Sequence, residues 1–194
     1  MDKATKHHQR DLLYWEGFVQ GNQQALGSLF RLYYPDLFRY GHKIVPEPAV
    51  LEDCIQELFI ELWQQKNPAP ELSVKAYLLR AMKYKLLKIL RKKNNTLLQE
   101  NIETQGVFEI SHEDFLISGQ ENAEQSRRVI QAFSQLSNRQ QEIVYLRFYQ
   151  GLGYEEISAI MNINYQVARN LLHQAIKALK KILLRRYCLF PFLA

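Results

Sequence analysis

The amino-acid sequence predicts an all-α protein with two small helical domains joined by an acidic linker. Apolar residues recur at intervals of three and four in several stretches, and the alternation typical of strands is weak throughout. Residues 74–93 carry lysine and arginine but no acid, whereas residues 94–126 carry acids but no lysine or arginine. This acidic stretch also has weak periodicity, so we interpret it as a linker between two domains.

The composition is that of a globular protein with a basic excess. Of the 194 residues, 47% are hydrophobic, which is enough to form a core, and the net charge of +5 suits a polyanionic partner. Only two cysteines occur, so we expect no disulfide framework, no metal cluster and a reducing cytoplasm. The polar start MDKATKHHQR and the lack of a long apolar run predict neither a signal peptide nor membrane insertion.

Two helices are predicted at the start of the chain. A polar tail leads into the first, Leu12–Gln20, and residues 1–22 form an extension ahead of the first domain at residues 23–94. The second helix, Gln23–Tyr40, carries apolar residues at helical spacing along one side. These residues are Leu26, Leu29, Phe30, Tyr33 and Leu37.

The third predicted helix, Ala49–Gln65, follows two prolines and has two chemically different sides. Its core side consists of Leu51, Ile55, Leu58 and Leu62, widened by Phe59 and Trp63. Its far side consists of Asp53, Gln56, Glu57, Ile60 and Gln64. An apolar Ile60 within an acid and amide surface is typical of a protein contact, but single exposed isoleucines are also common, so both interpretations stay open.

The fourth predicted helix, Ser73–Lys93, combines an apolar side with aromatic and basic residues. The apolar side consists of Leu78, Met82, Leu86 and Ile89. Tyr84 lies among lysines, a mixture that suits single-stranded nucleic acid because bases stack on rings and phosphates attract ammonium groups. Tyr77 is expected in the core, whereas Tyr84 fits either a base contact or the core.

The second domain, residues 126–186, is predicted to be a helix-turn-helix. A helical run at Gln140–Tyr149 is preceded by Ser137 and Gln140, which have capping-box spacing, and it is broken by glycines. A short helix, Tyr154–Met161, is followed by Asn162 and Asn164. Asparagine tolerates the left-handed conformation that ends a helix, and it is a good N-cap for the next one. Two short helices joined so tightly are typical of a motif whose second helix enters the major groove of DNA.

The last helix, from Tyr165, has a buried side and a polar side. The buried side is predicted to be Ala168, Leu172, Ala175, Leu179 and Ile182. The polar side comprises Gln166, Arg169, Asn170, His173, Gln174, Lys177 and Lys181. Asparagine and glutamine pair with adenine edges, and arginine and lysine pair with guanine or phosphate, so this side suits double-stranded DNA. The apolar tail at residues 187–194 is expected to pack on the body or to fray.

Several stretches resemble the sigma-70 family of bacterial transcription initiation factors, in particular its extracytoplasmic-function subfamily. Asp53–Trp63 is similar to the family pattern DxxQExFxxxW, and Val74–Arg80 is similar to the opening of region 2.3. Leu136–Val144 and Gly151–Ser158 look like region 4. The resemblance covers roughly residues 23–93 and 130–184, and it implies a region 2 bundle and a region 4 helix-turn-helix.

The resemblance implies a division of labour along the chain. The third helix would dock on the β′ clamp of core RNA polymerase through Asp53, Gln56, Glu57, Ile60 and Glu61. The Pro68–Ser73 loop and the fourth helix would hold and open the −10 element, with Lys75, Arg80, Lys83, Tyr84, Lys88 and Arg91 as the contacts. The linker at residues 95–125 would thread the polymerase cleft, and the last helix would read the −35 element. The implied partners also include the flap of the β subunit and an anti-sigma factor.

Two other classes of protein fit parts of the sequence. A stand-alone helix-turn-helix regulator would bind operators alone and use its first domain for dimerisation, but it needs neither a polymerase-docking helix nor a strand-capturing one. A helical adaptor or a protein resembling an anti-sigma factor is disfavoured by the basic last helix. No Gly-rich phosphate loop, metal-ligand spacing or nucleophile constellation is evident, so we expect no enzyme activity and no cofactor.

Overall fold

The computed structural model describes residues 3–65, 72–93, 108–109 and 129–187. Every regular element in this part of the chain is helical, which confirms the predicted all-α class. The helices are α1 (Lys3–Val19), α2 (Gln23–His42), α3 (Pro48–Gln64), α4 (Val74–Lys93), α5 (Asn138–Val144), α6 (Tyr154–Met161) and α7 (Tyr165–Tyr187), and a π-helical turn, Tyr145–Tyr149, follows α5. The chain separates into two compact units, one built around α1–α4 and the other around α5–α7. None of the described helices combines the length and the hydropathy needed to span a bilayer.

Local capping determines where the helices of the N-terminal unit begin. The side chain of Asn22 accepts hydrogen bonds from the backbone N–H groups of Gln24 (2.9 Å) and Ala25 (3.2 Å) at the start of α2. Ser73 caps α4 in the same way, accepting from the N–H of Ala76 at 3.1 Å. The prediction that the residues before Leu12 form a tail is wrong, because α1 already begins at Lys3. Those residues include no proline or glycine, so nothing in them stops the helix from extending backward.

The core of the N-terminal unit is built from the predicted apolar sides of α2, α3 and α4. Its buried residues include Leu29, Tyr33, Leu37, Leu51, Ile55, Leu58, Phe59, Leu62, Leu78, Met82 and Leu86. Trp63 departs from the prediction because its side chain is 44% exposed at the edge of this core, although its ring lies 6.3 Å from that of Phe18. Gly41 allows the three helices to approach closely, since a Cβ there would lie 2.9 Å from side-chain atoms of both Leu51 and Met82.

The turns of the C-terminal unit follow the predicted chemistry. The hydroxyl of Ser137 accepts from the N–H of Gln140, and the side chain of Gln140 accepts from the N–H of Ser137, which completes the capping box. Asn162 ends α6 in the left-handed conformation, with φ 52°. Asn164 caps α7 by accepting from the N–H of Val167 at 2.8 Å. The predicted helix-turn-helix is therefore present.

Two features of this unit differ from the prediction. The expected regular helix Gln140–Tyr149 is α-helical only to Val144, and the π-helical turn follows it. On α7, the predicted apolar side is fully buried at Ala168, Leu172 and Ala175, whereas Leu179 and Ile182 are half-buried.

One residue of the predicted linker is packed inside the C-terminal unit. Phe108 is 1% exposed, and its ring centroid lies 5.4 Å from that of Tyr145 in the π-helical turn. The rest of the predicted linker lies outside the described residues, apart from the exposed Glu109. Most of the Pro68–Ser73 loop and the apolar tail from Cys188 onward also lie outside them.

Candidate nucleic-acid and protein interfaces

The outer side of α3 gathers every residue predicted to bind polymerase. Asp53, Gln56, Glu57, Ile60 and Glu61 are all exposed. They occupy one side because their spacing follows the helical repeat, and the opposite side holds the buried leucines of the core. Ile60 is 56% exposed among these acids and amides, so an apolar group lies at the centre of an acidic surface.

A lysine of α4 neutralises part of this acidic surface. The Nζ atom of Lys85 lies 2.7 Å from Oε1 of Glu61 and 3.5 Å from Oε2 of Glu57. The Lys85 side chain is only 14% exposed, whereas both carboxylates are more than half exposed. The sequence pattern did not indicate this role of Lys85, because the position of α4 along α3 is a tertiary property that no local pattern encodes.

The thiol of Cys54 lies beneath the same surface. Cys54 is a free cysteine that is buried on α3. Burial raises the pKa of Cys54, because a thiolate would lose its hydration there. The nearby Glu57 carboxylate adds to this increase in the pKa and the Lys85 ammonium opposes it.

A stripe of exposed residues runs along α4 opposite its buried side. Arg80, Tyr84 and Lys88 follow one another at intervals of four and are all exposed, with Tyr84 at 65%. Lys83 and Arg91, also predicted to bind DNA, are half-buried. The exposure of Tyr84 favours the base contact over the core, the two interpretations that the sequence left open.

Two further residues of α4 face other helices. The Nζ atom of Lys75 lies 3.1 Å from Oδ2 of Asp36, so this predicted DNA contact is held in an ion pair with α2. The half-buried Tyr77 packs edge-on against Trp15 at 5.5 Å, and its hydroxyl donates to Oε1 of Gln65 at 3.0 Å. Burial raises the pKa of the Tyr77 hydroxyl. Lys75 and Tyr77 thus fix the first turns of α4.

The polar side of α7 presents every residue predicted to read duplex DNA. Gln166, Arg169, Asn170, His173, Gln174, Lys177 and Lys181 are all exposed. The amide nitrogen of Gln166 donates to the amide oxygen of Asn170 at 3.1 Å. Two apolar residues that sequence analysis passed over, Tyr165 and Val167, are also exposed in the first turn, at 47% and 43%. Both residues lie outside the predicted buried side of α7, so the helical repeat could have identified them as exposed from the sequence.

Aromatic and cationic contacts hold the start of α7 in place. The guanidinium of Arg147 lies 5.3 Å from the ring centre of Tyr154 and donates to the carbonyl of Leu152 at 2.8 Å. The Tyr154 ring in turn packs edge-on against Tyr165 at 5.7 Å. The first turn of α7 is thereby fixed to the preceding helix and loop.

A second exposed apolar surface lies at the π-helical turn. Phe148 is 62% exposed and Tyr149 is 45% exposed. The turn carries the extra backbone residue of an i to i+5 repeat, seen in the hydrogen bond from the N–H of Gln150 to the carbonyl of Tyr145 at 3.1 Å. Turns of this kind occur frequently at functional sites. The sequence pattern did not indicate this surface, because the run was predicted to be a regular helix.

Two family models match the chain in the order expected for a sigma factor. Residues 29–96 match sigma-70 region 2, and residues 126–179 match sigma-70, region 4. The two matches together cover more than half of the chain. The chain therefore belongs to the sigma-70 family, and it is a transcription initiation factor that binds core RNA polymerase and promoter DNA. The hypothesis of a stand-alone regulator is replaced by this assignment.

Solved structures share the fold. The sigma factor RpoE, in complex with the anti-sigma factor NepR from Bartonella quintana, has a TM-score of 0.57 and 18% identity, with 81% of this chain and 95% of that chain covered. CnrH, in complex with the cytosolic domain of CnrY, has a TM-score of 0.59 and 16% identity, with 90% of this chain and 97% of that chain covered. Among curated proteins, no sequence matches this chain.

Proposed function

We propose that this sigma factor divides promoter recruitment among the exposed sides of three helices, with α3 for polymerase, α4 for the −10 element and α7 for the −35 element. The observation that carries the proposal is that each of these polar stripes lies opposite a buried apolar stripe on its own helix. Each can therefore bind a partner without disturbing the core. The proposed domain boundaries are 23–94, 95–125 and 126–186, with an extension before them and an apolar tail after them.

The acidic side of α3 docks on the β′ clamp of core RNA polymerase. Ile60 supplies the apolar centre of the contact, and Asp53, Gln56, Glu57 and Glu61 surround it. Interfaces of this kind combine an apolar centre with a polar rim. Opposite charges on the two partners speed association and make it sensitive to salt.

The exposed stripe of α4 captures the separated strand of the −10 element. Tyr84 offers a ring on which a base can stack, and Arg80 and Lys88, four residues to either side, offer cations for the phosphates. Lys83 and Arg91 flank the stripe with further positive charge. Lys75 contributes mainly by fixing the first turn of α4 through its ion pair with Asp36.

The polar side of α7 reads the −35 element in the major groove. Gln166, Arg169, Asn170 and His173 occupy about the first two and a half turns and are placed to meet base edges. Gln174, Lys177 and Lys181 continue along the same side and meet the groove wall and its phosphates. The contacts that hold the start of α7 against α6 support this role, because base readout requires a rigid helix.

The apolar surface of Phe148 and Tyr149 binds a protein, and we assign it to the flap of the β subunit. An anti-sigma factor is a further partner, as it is for the RpoE structure. The chain acts by recruitment, without enzymatic chemistry of its own, and it acts in the cytoplasm because its polymerase and promoter DNA are found there.

The experiment that tests this proposal is transcription by core RNA polymerase with the purified full-length chain on a library of randomised promoters. We expect transcripts from a narrow set of sequences. Glu57→Lys should weaken binding of core polymerase while the far-UV circular dichroism stays unchanged. Glu16→Lys is the matched control, since it makes the same charge change at an exposed position on α1. Equal polymerase binding by the two variants would contradict the α3 assignment.

A further inference from the structure

The hydrogen bond between Gln166 and Asn170 joins two side chains on the polar side of α7 that are both proposed to contact DNA. Residues four apart on a helix are neighbours on its surface, so the two amides meet above the first turn of α7. The nitrogen Nε2 of Gln166 donates to Oδ1 of Asn170 at 3.1 Å, and both residues are exposed. The pair is therefore formed before any DNA arrives.

The bond determines which hydrogen-bonding groups remain for a ligand. Each amide has one carbonyl oxygen and one NH₂ group. The bond uses one N–H of Gln166 and one lone pair of Oδ1 of Asn170, and it leaves Oε1 of Gln166 as an acceptor and Nδ2 of Asn170 as a donor. The pair thus offers an acceptor and a donor that are supplied by two residues rather than one.

In the major groove this pattern fits one base. Adenine presents the N6 amino group as a donor beside the N7 acceptor. Guanine presents two acceptors, O6 and N7, so the oxygen of Gln166 would face another oxygen. The pair therefore accepts adenine and rejects guanine at the same position.

We propose that Gln166 and Asn170 act as a single adenine reader in the −35 element. Oε1 of Gln166 accepts from adenine N6, Nδ2 of Asn170 donates to adenine N7, and the bond between the amides holds both in place. This inference rests on the proposed function of α7. It differs from two independent contacts in a measurable way, because both residues should determine the same base pair.

The test uses the full-length chain with core RNA polymerase and a promoter library randomised across the −35 element. Preferences for each base are measured by sequencing the transcripts of the wild type, Gln166→Ala, Asn170→Ala and the double variant. We expect each single variant to weaken the preference for adenine at one and the same position by roughly ten- to hundredfold. This corresponds to the discrimination of a good bidentate contact. The double variant should weaken this preference only a little more than either single variant does.

A further variant changes the hydrogen-bonding groups of residue 166 but keeps the length and shape of its side chain. Gln166→Glu replaces the donor with a carboxylate, so the pair offers acceptors, and the preferred base at that position should shift from adenine toward cytosine, whose N4 is a donor. Lys181→Ala is the control, and it should lower transcription from all sequences alike.

The outcomes separate this inference from the function on which it rests. The single reader would be overturned if the two single variants weakened base preferences at two different base pairs, or if both left the preferences unchanged. Either result would leave the sigma-factor function intact. Loss of transcription from every promoter with the wild-type chain would instead contradict the proposed function itself.

Discussion

Lys85 on α4 and Glu61 on α3 form an ion pair, with Nζ 2.7 Å from Oε1. The same carboxylate belongs to the surface that we assign to the polymerase clamp, and α4 is the helix that we assign to the −10 strand. A polymerase cation that approaches Glu61 must therefore compete with Lys85. On these assignments, polymerase docking and strand capture share the ion pair of Lys85 and Glu61.

Replacing Lys85 with methionine should make polymerase binding more sensitive to salt. Without the lysine, the carboxylates of Glu57 and Glu61 are no longer neutralised within the protein, so they attract a cationic partner more strongly at low ionic strength. The cost to folding should be about 1 kcal/mol or less, because both carboxylates are exposed. Binding of core polymerase at several salt concentrations measures the effect. Lys88→Met removes the same charge from an exposed position on the same helix; identical salt dependence in the two variants would contradict the shared contact.

Replacing Tyr84 with alanine should slow promoter opening more than it weakens the closed complex. The ring is 65% exposed, so its loss leaves the core intact but removes a stacking surface that contributes about 1–3 kcal/mol per base. Permanganate reactivity of unpaired thymines measures opening, and a gel shift measures the closed complex. Tyr84→Phe keeps the stacking surface and should open promoters at nearly the wild-type rate. Unchanged thymine reactivity in Tyr84→Ala would rule out the base contact.

The stability of the N-terminal unit should decrease as the pH rises above the ordinary pKa of a thiol. Burial raises the pKa of Cys54 in the folded state, so the unfolded chain loses this proton first. Above the pKa of the unfolded chain, the unfolded state binds fewer protons than the folded state, and the free energy of unfolding falls with pH. Urea denaturation from neutral pH to about pH 10 measures this slope. A Cys188→Ser background isolates the effect, and Cys54→Ala in that background should flatten the slope.

Two glycines in α2 should respond to alanine in opposite directions. At Gly41, a new Cβ would lie 2.9 Å from side-chain atoms of Leu51 and Met82, so Gly41→Ala should destabilise the unit by about 1–3 kcal/mol. At Gly27 the nearest atom is 3.6 Å away, at the flexible end of Arg31, and alanine should stabilise the helix by about 0.5–1 kcal/mol. Chemical denaturation measures both changes. A loss of stability at Gly27 equal to that at Gly41 would show that close packing at Gly41 is not the cause.

Features controlled by local chemistry could be predicted from the sequence. Ser137, Asn162 and Asn164 act on backbone groups three or four residues away, so their spacing alone predicted the N-cap of α5, the end of α6 and the start of α7. The buried and exposed sides of α3 and α4 could be predicted for the same reason, since the helical repeat determines them.

Features that depend on contacts between distant segments could not be predicted. The pairing of Lys85 with Glu61 depends on how α4 packs along α3. The packing of Phe108 against Tyr145 brings together residues that are far apart in sequence. The π-helical turn at Tyr145–Tyr149 adds one residue to a helical run whose apolar pattern looks regular.

We expect the packing of Phe108 against Tyr145 to limit the range of promoters that the protein can span. The helix that we assign to the −10 strand ends at Lys93, and the ring of Phe108 is held by the unit that we assign to the −35 element. Residues 94–107 alone join these two points, and a fully extended chain of that length reaches roughly 50 Å, about half the reach of the whole 95–125 stretch. A short tether raises the effective concentration of the second unit once the first has bound DNA. Promoters whose two elements lie beyond that reach lose the second contact unless the Phe108 ring separates from Tyr145. Phe108→Ala should therefore widen the range of spacer lengths at which transcription starts.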